Sequence, residues 1–455
     1  MESSFKILHL EAYKNRFLEF LNLPSFSWRF LRLASINILS NLMVPIAGLL
    51  SITFLGHLQD IHHLAGVTLA TIIFNYLYRA LGFLRTSTTG ITAQGMGRKD
   101  SQEVLLVLLK NGLLALSLGL IILVLQYPLR WIGFNLVSAA PLVKASAQAY
   151  YDTRILGAPA VLLNFVLIGW FLGKEQSSKV LWLSIIGNGA NVILDYLLII
   201  RWGLDSGGAG LATSLSQIIM CLCGVLLVSL DINWKEVKQV IKKLSFEQWK
   251  GNLMLNRDLF IRTLILLSAF SLFTNVSSAM GTLVLAENSV LLQVFSLVVY
   301  FIDGLAFATE SLAGNFKGQG IKKQLIPLLK FSASLSFILA LMSVSLLVLF
   351  PKTLFSLLTN HTEIYPYLTS HVIWLLPVLG FGSIAFILDG YFIGLAEGVM
   401  LRNTALGSTF LGFVPVAIIA WHYNSSNLLW LALSLFMATR VLLLGLKVPK
   451  TLENV

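Results

Sequence analysis

Twelve mostly apolar stretches, each long enough to cross a bilayer, divide this chain of 455 residues. They fall near 30–55, 62–88, 102–126, 147–172, 178–201, 208–230, 258–284, 286–312, 324–350, 367–396, 403–422 and 427–446. At about 1.5 Å per residue, about 20 residues of helix cross the hydrocarbon. Within lipid every backbone N–H and C=O must be satisfied internally, and a helix does this segment by segment. The pattern therefore predicts an all-α polytopic membrane protein with twelve transmembrane helices. With 56% apolar and 12% charged residues, the chain carries more apolar surface than a soluble domain can cover. Disorder is excluded on the same grounds. Cys221 and Cys223 both sit inside an apolar run and give no disulfide framework and no zinc-ligand set.

The net charge of +11 needs no nucleic acid to explain it. If the N-terminus is inside, 22 of the 32 Lys and Arg residues fall in cytoplasmic segments and four in outside loops. That asymmetry predicts both termini in the cytoplasm. Residues 1–29 mix charges with apolar residues and lack a cleavable apolar core, which predicts a cytoplasmic segment with a short amphipathic surface helix. No transit segment is visible, so a plasma (inner) membrane is expected.

The two halves repeat at a constant offset of 221 residues. Gly169-Trp170-Phe171-Leu172-Gly173 aligns with Gly390-Tyr391-Phe392-Ile393-Gly394. At the same offset Leu64-Ala65 meets Leu285-Ala286, Phe74 meets Phe295, and Gly97 meets Gly318. Six helices per repeat is an even number, so both halves enter the membrane in the same sense, as parallel repeats about an axis along the membrane normal. The expected organisation is an N-lobe over 30–230, a polar linker over 231–257, a C-lobe over 258–447 and a cytoplasmic tail over 448–455. This is the plan of an alternating-access transporter, with a cavity between two bundles. No glycine-rich run suited to a channel filter is present.

The chain resembles the MATE family, multidrug and toxic compound extrusion transporters, and within it the DinF-like subgroup. Gly56-His57-Leu58, Ile73-Phe74-Asn75-Tyr76-Leu77-Tyr78, Gly82-Phe83-Leu84-Arg85 and Thr88-Thr89-Gly90-Ile91-Thr92-Ala93-Gln94 carry the likeness in the first half. Gly169 to Gln176, Val290 to Gln293, Asp303 to Ala308 and Leu388 to Gly394 extend it from about residue 30 to 447. The resemblance implies twelve helices in a V-shaped pair of lobes, exporting a substrate against an inward flow of H⁺ or Na⁺. It also implies an N-lobe cation site, to which Asn191, Asp195 and Thr213 correspond. That site in the family includes a helix-1 acid and, fifteen residues earlier, a proline. Here those positions hold Ser51 and Ile36. A serine does not titrate, so coupling either rests on Asp195 or the C-lobe, or is weak.

Ionisable side chains at membrane depth are costly and mark candidate function. Asn191 and Asp195 lie one helical turn apart on one face, and a carboxylate beside an amide suits a cation or a shuttled proton. Asp303 and Glu310, nearly two turns apart, also share a face. Asp389 precedes Gly390, whose small size leaves it room to face the cleft. Arg79 and Arg85 are expected to balance these acids or to face an anionic substrate. Lys110 is expected to snorkel to the cytoplasmic side. Phe74, Tyr78, Phe295 and Tyr300, with Arg85, are candidates to line a cavity, the aromatics offering their faces to flat organic cations. No nucleotide-binding loop, serine elbow or zinc-protease motif is present, so no enzyme and no catalytic residue is expected. His62 and His63 read as a solvated turn, and no metal site or cofactor is expected apart from the coupling ion.

The expected function is secondary antiport. An amphiphilic or cationic small organic compound leaves in exchange for H⁺ or Na⁺, through a monomer whose other partner is the lipid bilayer. Two rivals stand: a lipid-linked oligosaccharide flippase, to which Arg79, Arg85 and Lys110 would suit a basic cavity, and a weakly coupled or non-transporting membrane relative.

Overall fold

The computed structural model describes residues 24–453 except 59, 136–138, 243–245 and 357–363. The surface helix expected within 1–29 lies, up to residue 23, outside the described residues. Twelve helical spans follow one another, as expected. In the first half they are α1 (Ser27–Gly56), α2 (Ile61–Arg98), α3 (Ser101–Val124), α4 (Pro141–Gly173), α5 (Ser177–Arg201) and α6 (Asp205–Asp231). In the second they are α7 (Lys250–Ala279), α8 (Thr282–Gly318), α9 (Lys322–Leu349), α10 (Tyr365–Gly394), α11 (Gly398–His422) and α12 (Ser426–Glu453). An even number of spans puts both described ends on one side, called here the termini face.

The polar linker 231–257 is largely helical: one helix runs over Trp234–Lys242, and from Phe246 the chain is already in the helix that continues through α7. Residues 448–453 are packed structure: the Thr451 hydroxyl and the Tyr391 phenol hydrogen-bond at 2.8 Å, and Lys322 Nζ donates to the Leu452 carbonyl at 2.9 Å.

Leu49, Leu120, Val124 and Leu411 are large apolar residues with exposed side chains, as a lipid-facing surface requires. Trp131, Trp202 and Trp421 project near span ends, the place of interfacial anchors. Trp170 and Trp430 are instead fully buried, and each donates its indole N–H inward, to the Val104 carbonyl (3.0 Å) and to Asn288 Oδ1 (2.8 Å).

The buried apolar residues form two clusters. One fills the first half and continues through α8 and α10 near the termini face; the other fills the far half of the second bundle alone. The two bundles thus share a core at the termini face and keep separate ones away from it, which is the V shape.

Small residues make that shared seam. Lipid supplies no hydrophobic drive between helices, so close backbone approach has to come from side chains of minimal size. A Cβ on Gly169 would meet the Arg85 carbonyl, and one on its repeat counterpart Gly390 would meet the carbonyl of Ala306, the counterpart of Arg85. The same packing is therefore built twice, once per lobe. Between lobes, α2 and α8 cross along the axis relating the repeats, so that residues 221 positions apart touch each other. A Cβ on Gly318 would strike Gly97, and a Cβ on Gly314 would strike Ala93. One turn further along, Thr89 reaches its counterpart Glu310. The Gln94 amide closes the seam by donating to the Gly394 carbonyl at 2.9 Å.

Candidate transport site

Above this seam α2 breaks between Ala80 and Phe83, where Gly82 lacks a side chain to pack. The break puts Arg79 and Arg85 on either side of it. Both line a cavity of about 340 Å³ with Asn75, Tyr78, Thr86, Phe165, Arg262 and Thr263. The two lobes meet here, since Arg79 and Arg85 belong to α2 and Arg262 to α7. Arg85 Nη1 lies 3.9 Å from Glu310 Oε2 with no hydrogen-bond partner, and the guanidinium sits 3.9 Å over the Phe307 ring. Arg79 is exposed to the cavity and makes no hydrogen bond or ion pair among the described residues.

The acidic residues singled out in the second half gather on these arginines. Asp303 lies in the field of Arg85, Arg262, Arg79 and Asp389. Glu310, 1% exposed, faces Arg85, Thr89 and Arg262. Asp389 does not stand open to the cleft. Arg262 and Arg440 both hydrogen-bond its Oδ2, forming a buried Arg–Asp–Arg triad across α7, α10 and α12. Arg440, counted in the sequence among the cytoplasmic charges, is 2% exposed, because α12 continues beyond it and turns it toward α10. Lys110 does not snorkel outward either. It is buried, on the wall of a groove that also holds Asp100, Glu103 and Asn252.

In the first half, Asp195 is 1% exposed and accepts a hydrogen bond from the Ser51 hydroxyl. Its Oδ1 has no partner, nor has Nδ2 of Asn191 one turn away. Regular helix ends at Asp195 and a wider π-type turn runs over Tyr196–Arg201, a local widening often found at functional sites. Thr213 makes no hydrogen bond to Asp195. Its Oγ1 donates to the Ala209 carbonyl one turn back, and its side chain lines a small cavity with Tyr78 and Arg154.

Of the aromatic candidates, Tyr78 reaches the cavity wall. Phe74 is fully buried, stacked 5.2 Å from Tyr151, with the Arg154 guanidinium already 4.5 Å over its face. Phe295 is buried against Phe270, and neither Phe295 nor Tyr300 lines the cavity; the Tyr300 carbonyl accepts a hydrogen bond from Asn41. These rings were singled out as aromatics within apolar stretches, which does not fix what the neighbouring helix presents to them. Arg262 and Arg440 were missed as site residues. Their only sequence signal was a basic residue close to or within an apolar stretch. Asp60, at the start of α2, and His62 and His63, in its first turn, bring three ligand atoms within 4.8 Å of one another. The two histidines are half-buried in helix, and His63 Nδ1 shares a hydrogen bond with the Ser206 hydroxyl at 2.7 Å, so they do not form the solvated turn expected.

Two six-helix lobes sharing a seam at one face, with titratable groups buried within and between them, define a multi-pass membrane transporter and not an enzyme. The MatE family pattern matches twice, over residues 37–197 and 259–419, once in each repeat, and the chain belongs to that family. DNA damage-inducible protein F of Escherichia coli strain K12 is 32% identical over 90% of this chain and 89% of its own, in keeping with the DinF-like subgroup. Protein DETOXIFICATION 44 of Arabidopsis thaliana is 25% identical over 87% of this chain and 77% of its own. Among solved structures, a MOP superfamily transporter from Pyrococcus furiosus superposes with a TM-score of 0.85 over 94% of this chain and 96% of that one, at 19% identity. An outward-facing multidrug resistance MATE transporter gives 0.84 over 93% and 95%, at 20% identity.

Proposed function

We propose that this protein is an alternating-access exporter that couples the inward movement of H⁺ or Na⁺ at Asp195 to the outward movement of an amphiphilic organic compound. The observation carrying this reading is the unmatched carboxylate oxygen of buried Asp195, one turn from the unmatched amide of Asn191. A small cation or a proton would satisfy that carboxylate oxygen. Asp389 suits this role less well, since two arginines already occupy it. Ser51 donates to Asp195 where related transporters would bring a second acid, so a single carboxylate does the coupling. Ion binding at Asp195 would favour one lobe arrangement, because a ligand moves an equilibrium only through differential affinity. The protein acts as a monomer in the plasma (inner) membrane with both termini cytoplasmic. A lipid-linked oligosaccharide flippase remains the second reading, favoured by the arginines of the cavity.

The test is transport in proteoliposomes under imposed pH or Na⁺ gradients. Wild type is expected to move substrate opposite to the imposed ion gradient and faster than passive leak, and Asp195→Asn to lower that gradient-driven rate at least tenfold. Equal rates in Asp195→Asn and wild type would overturn the coupling role. A smaller effect is expected from Ser51→Ala, about threefold, because one hydrogen bond to a charged group contributes about 1.5–3 kcal/mol at most and water can replace part of it.

A further inference from the structure

We infer that the inter-lobe cavity takes an organic anion, a molecule with a carboxylate, sulfonate or phosphate head on an apolar body. This deepens the transport reading above by naming the charge class of its substrate.

The cavity wall carries three guanidinium groups and no carboxylate: Arg79, Arg85 and Arg262 line it, while Asn75 and Thr86 add further donors. The nearest acids stand behind that wall and neutralise it only in part. Asp389 is shared between Arg262 and Arg440. Glu310 reaches only one nitrogen of Arg85, at 3.9 Å, beyond hydrogen-bond distance. Asp303 sits among three of these arginines without a hydrogen bond that engages any of them. Four arginines therefore face three carboxylates, and the surplus charge falls on Arg79, the one of the four with no ion pair among the described residues. An unpaired guanidinium at this depth is expensive unless a ligand or water completes it. Arg85 repeats the pattern, its Nη1 being buried with no hydrogen-bond partner.

The geometry suits a head group more than a point charge. Guanidinium forks match the paired oxygens of carboxylate and phosphate. Tyr78 and Phe165 provide an apolar flank on the same wall. A volume of about 340 Å³ accommodates one small organic molecule. A flat organic cation would instead meet three like charges there, and the faces of Phe74 and Phe295 are already buried.

Purified full-length protein in nanodiscs decides this, with carboxyfluorescein as the anionic probe, rhodamine 6G as the cationic one, and fluorescence anisotropy as the readout. Carboxyfluorescein is expected to bind at least tenfold more tightly than rhodamine 6G and to weaken as salt is raised. Arg79→Gln is expected to weaken carboxyfluorescein at least tenfold and Arg79→Lys less, both with an unchanged thermal midpoint. Tighter binding of rhodamine 6G, or carboxyfluorescein binding indifferent to Arg79→Gln, would overturn the inference. Displacement of the probe by a polyprenyl phosphate placed in the nanodisc would assign the head group to a lipid, and displacement by soluble benzoate alone to a free anion. Rhodamine 6G movement driven by an ion gradient and lost in Asp195→Asn would leave coupled export standing and this inference refuted. Arginine-dependent carboxyfluorescein binding without any gradient-driven transport would do the reverse.

Discussion

Asp389→Ala is expected to destabilise the protein by about 3–5 kcal/mol, seen as a large drop in the thermal midpoint of the monodisperse protein. The carboxylate holds together Arg262 and Arg440, and Arg440 is almost wholly buried. Removing it leaves two guanidinium groups in a low-dielectric interior with no counter-charge, and the loss of a partner costs far more than the pair contributes net. The double variant Asp389→Asn with Arg440→Gln is expected to recover part of the midpoint, because it removes the deeply buried guanidinium and leaves only Arg262, which borders the cavity, without its carboxylate. If Asp389→Asn alone keeps the wild-type midpoint and instead abolishes ion-driven transport, Asp389 is a coupling group and the clamp reading fails.

Gly318→Val is expected to open the termini face and to stop the transport cycle while leaving each lobe folded. The added side chain would drive into the backbone of Gly97 and Gln94 on the other lobe, where no flexible group can give way. Overpacking of this kind costs about 1–3 kcal/mol. The closed arrangement would therefore lose ground to the open one by a factor of roughly five to 150. Spin labels at Lys99→Cys and Lys323→Cys, exposed on the two lobes at that face, report the change as a longer distance. Gly189→Val is the matched control, since a Cβ there meets nothing within 4 Å. An unchanged label distance in Gly318→Val would show that the seam is not a gate.

The spans and the two lobes were legible because each rests on a regularity that survives in one dimension. Apolar stretches of bilayer length have few other uses, and the match of Gly169–Gly173 with Gly390–Gly394 fixed the offset between repeats. Gly97 and Gly318 aligned at the same offset, and they turn out to touch. The charge pairing was not legible. Asp389 meets Arg262 and Arg440 across 127 and 51 residues, and Ser51 meets Asp195 across 144. Such pairs depend on how each helix is rotated about its own axis, which neither its length nor its composition records. Arg440 misled for that reason: a basic residue near the end of an apolar stretch has the same sequence signature whether it faces water or the core. The sequence marked Phe74 as an aromatic within an apolar stretch but could not show that Tyr151 and Arg154 already cover its ring.

The meeting of counterparts along the α2–α8 crossing has a further consequence. A perfectly duplicated pair of lobes would carry the same side chains on both flanks of the axis, and its two halves would part evenly. Here Arg85 has Ala306 as its counterpart, and Glu310 has Thr89. One flank of the crossing is therefore bridged by a guanidinium and a carboxylate, while the mirror flank offers only a methyl group and a hydroxyl. Separating the lobes means breaking an electrostatic latch on one side and almost nothing on the other. The bundle should open like a door hung on its charged edge, swinging about that flank instead of spreading evenly.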